Sequence, residues 1–156
     1  QELGTDYLDI VLLHAVQEAD WPTQRAGAME YLSEMHEKGV VKTHGLSCHS
    51  LLALKTAAKT PWVHVGLARI NPMGVAMDAD PATVKEVLRD MKSQGKGIIG
   101  MKILGAGKMR HRVDEMLSHA LAMDFVDTFT IGAESIPELS DLIKRIPSAS
   151  QRGWPS

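Results

Sequence analysis

The chain has a single cysteine, no long apolar run and almost no net charge, and each shortage excludes a class of protein. Its 156 residues include only Cys48 as a cysteine, so no internal disulfide can form and a cytoplasmic, reducing location is expected. No uninterrupted apolar stretch approaches the roughly 20 residues that a membrane span requires. The formal net charge of −2 gives no electrostatic reason to expect nucleic acid or an anionic membrane as a partner.

The two ends of the sequence differ from its interior. It begins with Gln1, and Leu3-Gly4 resembles the last residue of a helix followed by its C-cap glycine. We therefore expect the chain to lack an N-terminal part. Residues 147–156, PSASQRGWPS, are rich in Pro and Ser and predict a disordered tail after a folded domain of residues 1–146.

Short apolar segments alternate with helical segments through the interior. The apolar segments predict five β-strands, at residues 8–13, 43–47, 63–70, 98–104 and 128–131. The helical segments carry recognisable N-caps, namely Ser50, Asp80 before a first-turn proline, and Ser135 in a capping box with Glu138. Because strand and helix alternate five times, the pattern predicts an α/β architecture with parallel strands.

A reactive or small polar residue follows every predicted strand. These residues are His14, Ser47-Cys48-His49, Asn71, Lys102 with the LGAGK segment, and Gly132-Ala133-Glu134-Ser135. The carboxyl ends of parallel strands meet at one edge, where α/β proteins bind their ligands. The sequence therefore predicts a binding site at this edge. The first strand reads as fully buried, with His14 where the core ends and the pocket begins.

Structural roles and a metal site remain alternatives for several of these residues. A lone cysteine is more often a small buried hydrophobe than a nucleophile, and a histidine at a strand end is often structural. His14 and His49 could hold zinc, but no third ligand accompanies them at a suitable spacing, so no metal is predicted. The GAGK turn alone is weak evidence for a phosphate site. Its place before a helix, with Lys108, Arg110 and Arg112 following, favours binding of a pyrophosphate.

Five segments, taken in order, resemble the aldo-keto reductase family. LGTDYLDIVLLH, residues 3–14, resembles the segment that enters the fourth strand of the family's (β/α)8 barrel and ends on its catalytic histidine. The segments resembling its later strand regions are EKGVVKTHGLSCHS, ARINPMG, GIIGMKILGAGK and FTIGAESIPELSDLI. The resemblance covers residues 3–146 and implies an α/β fold, the C-terminal five-eighths of a (β/α)8 TIM barrel.

The resemblance also implies roles for individual residues. His14 corresponds to the catalytic histidine that orients the substrate carbonyl. Ser47 corresponds to the serine that hydrogen-bonds the nicotinamide carboxamide, Cys48 stands where asparagine is usual, and Met101 where many members stack an aromatic ring. The remaining implied cofactor contacts are Leu104, Gly105 and Gly107 along the pyrophosphate, and Gly132, Ala133, Glu134 and Ser135 at the adenosine end.

The implied function is NAD(P)H-dependent reduction of an aldehyde or ketone to an alcohol, with a small carbonyl compound as the substrate. The family's catalytic tyrosine, lysine and aspartate come from earlier strands, so the chain alone is expected to be inactive. Glu134 and Glu138 place negative charge where NADPH-preferring members supply bases to the 2′-phosphate. This difference favours NADH.

Two other functions fit the same residues. A noncatalytic half-barrel that binds a ligand or oligomerises would need no tyrosine or lysine from upstream. A metal-dependent barrel hydrolase would use His14 and His49 and would contain a bound metal ion. Whichever function holds, the open edges of the first and last strands predict self-association of the isolated chain.

Overall fold

The computed structural model describes residues 3–150, which form a parallel β-sheet connected by helices. The strands are β1 (Leu8–Val16), β2 (Val41–Cys48), β3 (Val65–Arg69), β4 (Gly97–Met101) and β5 (Thr128–Phe129). They lie in the order β1-β2-β3-β4-β5, and each neighbouring pair is parallel. The predicted α/β architecture with parallel strands in sequential order is confirmed.

Residues 3–150 form six α-helices, three of which begin at the predicted caps. They are α1 (Trp21–Gln24), α2 (Ala26–Glu37), α3 (Leu51–Lys59), α4 (Pro81–Ser93), α5 (Val113–Ala122) and α6 (Ile136–Ala149). Ser50, Asp80 and Ser135 each accept a hydrogen bond from the backbone N–H three residues further on. A short 3₁₀ turn at Arg110–Arg112 leads into α5.

The C-terminal helix α6 runs past the domain boundary predicted at residue 146. It includes Pro147 and ends at Ala149, and both Ile146 and Ala149 pack partly buried against the core. This packing offsets the cost of a proline within the helix. Residues 151–156 of the predicted tail lie outside the described residues.

The core lies between the sheet and the helices that follow its strands. In β3, Ala68 is fully buried in the core, and a Cβ on Gly66 would come within 2.7 Å of the Met91 side chain in α4. Side chains alternate along a strand, so Leu67 and Arg69 point to the opposite side of the sheet. We call this opposite side the inner face.

The prediction that the first strand is fully buried is wrong for the described residues. β1 continues through His14 to Val16, and Leu8 and Ile10 keep 36% and 44% of their surfaces exposed. The strand pairs with β2, and no residue between 3 and 150 pairs with its other edge. Such an apolar edge is buried only when further protein packs against it.

Three histidines and a tryptophan pack together beside β2. The ring of His44 stacks on Trp62 at a centroid distance of 4.3 Å and on His64 at 4.5 Å. His36 of α2 meets it edge-on at 5.5 Å. Burial lowers the pKa of His44, and the nearby His64 and His36 lower this pKa further. His44 is therefore neutral in the folded chain at neutral pH.

We expect the protein to lose stability as the pH falls below the ordinary histidine pKa of about 6.5. Unfolded His44 takes up a proton in this range that the folded residue does not, so the free energy of unfolding decreases. Chemical denaturation at about pH 7.5 and about pH 5.5 measures the change.

The matched variants are His44→Phe, which keeps an aromatic ring at the stack, and His111→Gln at the exposed surface. H44F should lose less stability on acidification than the wild type, while H111Q should follow the wild type. Part of the loss remains in H44F, since burial also lowers the pKa of His49 and of His119. Equal losses in H44F and the wild type would contradict this account of the cluster.

Candidate functional site

A cleft of about 390 Å³ opens between the loop after β4 and the loop after β5. Six of the residues predicted to bind the cofactor line it, namely Met101, Leu104, Gly107, Gly132, Ala133 and Glu134. Gly105 and Ser135 belong to the same two loops. The topology thus brings together the two segments that the family resemblance assigns to the pyrophosphate and to the adenosine end.

The loop after β4 has an unusual backbone. Positive φ angles of 57°, 57°, 56° and 87° occur at Lys102, Gly105, Ala106 and Gly107. For the lysine and the alanine such a conformation costs on the order of 1–2 kcal/mol each, and strain of this kind concentrates at functional sites. A Cβ on Gly105 would lie 2.9 Å from the Met109 side chain and 3.0 Å from that of Val75. Close packing and backbone conformation both favour glycine there.

Gly105→Ala is expected to lower the free energy of unfolding by about 1–3 kcal/mol, because the new methyl group clashes and the φ angle is unfavourable. The matched control is Gly27→Ala in α2, where a Cβ would meet nothing within 4 Å. That change should be neutral or stabilising by about 0.5–1 kcal/mol. Chemical denaturation checks both values, and a G105A protein as stable as the wild type would contradict the tight packing of this loop.

An ion pair joins the two loops across the cleft. Arg110 Nη2 lies 2.6 Å from Glu134 Oε1, and both side chains are largely exposed, so the pair adds little to stability. Glu138 accepts a hydrogen bond from the backbone N–H of Glu134 at 2.6 Å. From the sequence Arg110 was assigned to the pyrophosphate, and the pairing with Glu134 was not predicted. The 24 positions between the two residues gave no local signal for it.

Some of the other basic side chains near the cleft are paired with carboxylates and others are not. Arg112 bonds Glu115, while Arg145 bonds Asp114 and Asp141. The side chains of Lys102 and Lys108 are exposed and have no ionic or hydrogen-bonded partner among residues 3–150, and Lys102 lines the cleft. Lys102 is therefore the cation most available to an anion bound in the cleft.

His14 and His49 lie close together at the carboxyl ends of β1 and β2. Their ring centroids are 6.3 Å apart. His14 is exposed and sits where the register between β1 and β2 shifts, next to Ala15 with a positive φ angle of 50°. The backbone N–H of His49 donates to the carbonyl of Val16 at 2.8 Å. The irregularity in β1 thus presents the His14 imidazole at the edge predicted to bind ligands.

His49 lies among basic side chains. Burial lowers the pKa of His49, and the neighbouring Arg69, His14 and Lys102 lower this pKa further. His49 is neutral at neutral pH. His14 lies 6.3 Å from His49 between ring centroids, Arg69 Nη2 donates to the His49 carbonyl at 3.4 Å, and Lys102 follows Met101, which pairs with Arg69 in the sheet. We call this region at the carboxyl ends of the strands the mouth. Arg69 is the mouth residue that was not predicted, and its signal in the sequence is an arginine closing an apolar strand.

The structure corrects the prediction for Cys48. Ser47 and Cys48 keep 3% and 0% of their surfaces exposed. Cys48 lies in the core on the same side of β2 as the fully buried Leu46, because side chains alternate along the strand. Burial and the charge of Asp78 raise the pKa of the thiol to about 12. This geometry does not bring Cys48 to a cofactor, and the small buried hydrophobe is the better description.

Asn71, also predicted at the binding edge, organises the loop after β3. Its Nδ2 donates to the carbonyls of Val75 and Lys102 at 2.8 and 3.2 Å. Its Oδ1 accepts from the backbone N–H groups of Met73 and Val75, both at 3.1 Å. The amide is fully buried and each of its polar atoms is bonded, so its role is structural.

Two absences concern the described residues alone. No group of three or more His, Cys, Asp or Glu side chains in residues 3–150 is arranged to hold a metal ion. Within the same part of the chain, no helix has the length and apolarity that a membrane crossing requires.

The sequence profile of the Aldo/keto reductase family matches residues 1–145. The chain belongs to the aldo/keto reductase family, and the resemblance drawn from the five segments is confirmed. A search of curated protein sequences found no match.

Solved aldo-keto reductases have a similar fold. A putative aldo-keto reductase from Pseudomonas aeruginosa is 16% identical, with a TM-score of 0.74 over 94% of this chain and 53% of that one. The holo form of aldo-keto reductase AKR11C1 from Bacillus halodurans is 17% identical, with a TM-score of 0.71 over 92% and 57%. MGS-M4, an aldo-keto reductase enzyme from a Medee basin deep-sea metagenome library, is 15% identical, with a TM-score of 0.60 over 99% and 64%.

These similarities define the architecture. The five-stranded parallel sheet with its helices is part of an aldo-keto reductase TIM barrel, as predicted. The chain spans between 53% and 64% of the lengths of these three structures.

Proposed function

We propose that this chain is the cofactor-holding part of an NAD(P)H-dependent reductase that converts an aldehyde or a ketone to an alcohol. The observation that carries the proposal is the cleft between the loops after β4 and β5, lined by six of the residues assigned to the cofactor. Membership of the aldo/keto reductase family supports the class of reaction. The catalytic tyrosine, lysine and aspartate would come from chain upstream of the sequence described.

The residues of the cleft fit a dinucleotide. The strained loop from Lys102 to Gly107 presents backbone to the cleft, and the unpaired ammonium of Lys102 favours a diphosphate there. Gly132 and Ala133 leave room on the opposite wall for the adenosine end. When bound, the reduced nicotinamide supplies a hydride to the carbonyl carbon.

His14 would act on the substrate carbonyl. Its imidazole is exposed at the mouth and can donate a hydrogen bond to the carbonyl oxygen, which polarises the carbon–oxygen bond and orients it. Met101 is 7% exposed, lines the cleft and ends β4 beside Arg69 of β3. Its thioether would pack against the nicotinamide and help to exclude water.

The charges at the adenosine end favour NADH over NADPH. Arg110 is neutralised by Glu134, which leaves the carboxylate of Glu138 as an excess negative charge beside the cleft. Arg145 is held by Asp114 and Asp141 and does not compensate for it. A doubly charged 2′-phosphate would be repelled, whereas the ribose hydroxyl of NADH could donate a hydrogen bond to a carboxylate.

Steady-state kinetics with both cofactors tests this proposal on the protein that carries the chain with its natural upstream sequence. We expect kcat/KM to be higher with NADH, and Glu134→Lys to shift the ratio toward NADPH by about 10–100-fold, the usual effect of a hydrogen bond to a charged group. Lys144→Ala, an exposed change further along α6, is the matched control and should leave the ratio unaltered. A wild-type preference for NADPH that E134K does not alter would contradict the assignment.

A further inference from the structure

Arg69 places a guanidinium at the end of β3 on the inner face of the sheet. The charged residues within the five strands are Asp9, Lys42 and Arg69. Asp9 and Lys42 pair with each other at 2.8 Å on exposed parts of β1 and β2. Arg69 differs from them because it lies at the mouth, next to His49, and its side chain is 21% exposed.

The contacts of Arg69 are long for an arginine. Its Nη2 lies 3.6 Å from Asp78 Oδ1, where a good charged hydrogen bond measures about 2.7–2.9 Å. Nη1 donates to the carbonyl of Ala76 and Nη2 to that of His49, both at 3.4 Å. Nε is buried and has no acceptor among residues 3–150. The guanidinium is therefore held in place while most of its hydrogen-bonding capacity remains weakly used.

The charge balance of the mouth is positive. Arg69 and Lys102 are cations that both lower the pKa of the neutral His49. Asp78 is the carboxylate beside Arg69. The Asp78 side chain is 3% exposed, and its burial raises its pKa while Arg69 opposes this change. Asp78 thus anchors the guanidinium from the protein side. The exposed part of Arg69 and the ammonium of Lys102 face solvent at the mouth.

We propose that Arg69 binds a carboxylate on the carbonyl substrate, so that the enzyme prefers oxo acids and carboxylate-bearing aldehydes to neutral carbonyl compounds. The inference rests on the proposed reductase function and names its substrate class. A planar guanidinium matches a carboxylate in two parallel hydrogen bonds, and a partly desolvated site strengthens them. In the proposed function Lys102 serves the cofactor and His14 binds the carbonyl oxygen. Arg69 is then the cation at the mouth that is available to a carboxylate on the substrate.

Kinetics with matched substrates test the inference on the protein with its natural upstream sequence. The probes are pyruvate against methyl pyruvate, and para-carboxybenzaldehyde against its methyl ester. For at least one pair the wild type should have a kcat/KM about 10–100-fold higher for the acid than for the ester. Arg69→Gln should reduce this ratio to near unity, mainly through the KM of the acid, and Arg69→Lys should retain part of it.

Further variants keep the test decisive. If R69Q leaves Asp78 unpaired and fails to fold, the double variant R69Q/D78N removes both charges together and should show the same loss of preference.

Equal kcat/KM values for acid and ester in the wild type would overturn the inference and leave the reductase proposal intact. A larger dissociation constant for NADH in R69Q, together with an unaltered acid-to-ester ratio of kcat/KM, would assign Arg69 to the dinucleotide phosphates. That result would also overturn the inference. No turnover of any carbonyl with either cofactor would overturn the proposed function, and the inference with it.

Discussion

Replacing His14 with alanine is expected to slow carbonyl reduction by about 10²–10⁴-fold in the protein that carries the chain with its upstream sequence. His14 is exposed at the mouth, and its ring centroid lies 6.3 Å from that of His49. By sequence resemblance it corresponds to the catalytic histidine of the aldo-keto reductases. On the proposed function, its loss would remove the hydrogen bond that polarises the carbonyl. The effect should fall on kcat, since this bond strengthens as negative charge develops on the oxygen.

The matched control is His111→Ala, a surface histidine on the 3₁₀ turn before α5. Steady-state kinetics with an aldehyde and saturating cofactor should show wild-type turnover for H111A. Equilibrium binding of NADH should be similar in H14A and the wild type, which separates lost chemistry from lost folding. Unchanged turnover of H14A on every aldehyde tried would make His14 a structural residue.

The isolated 156-residue chain is expected to have no measurable reductase activity and to self-associate. The edge of β1 carries the exposed Leu8 and Ile10, and α6 exposes Ile136 and Ile143 to 81% and 60%. Open strand edges and exposed apolar side chains favour pairing with another chain. Sedimentation should therefore detect dimers or larger species.

The charged variant Ile10→Lys is the matched test of that surface. It should shift the sedimentation profile toward monomer, while a charged change at Thr23 on the exposed part of α1 should leave the profile unaltered. A monomeric wild type would count against association through the open edges. Measurable turnover by the isolated chain would contradict the assignment of the catalytic tyrosine, lysine and aspartate to upstream sequence.

The order and direction of the strands could be predicted because they depend on local patterns. Each N-cap at Ser50, Asp80 and Ser135 forms its bond within three residues, so its signal is complete in the sequence. The spacing along α4 likewise predicted a buried stripe of Val84, Val87, Leu88 and Met91, of which Val87 is half-buried and the other three are buried. Alternation of these short elements was sufficient to predict the parallel sheet.

Other features depend on contacts that no local pattern contains. The hydrophobicity of β1 predicted burial, but burial depends on a neighbour beyond its open edge, and none lies within residues 3–150. Cys48 was assigned to the site by its position after Ser47, whereas alternation along β2 turns it into the core. The ion pairs Arg69–Asp78 and Arg110–Glu134 depend on how loops bring the two side chains together. Only the folded chain therefore shows them.

A crystal structure of the protein with its natural upstream sequence and bound NADH would test the central claim most directly. The account predicts the diphosphate along the loop from Lys102 to Gly107, with the adenosine end between Gly132 and Glu134 and the nicotinamide reaching the mouth near His14. A dinucleotide bound away from this cleft would contradict the claim. So would density that leaves the cleft empty while the protein turns over a carbonyl substrate in solution.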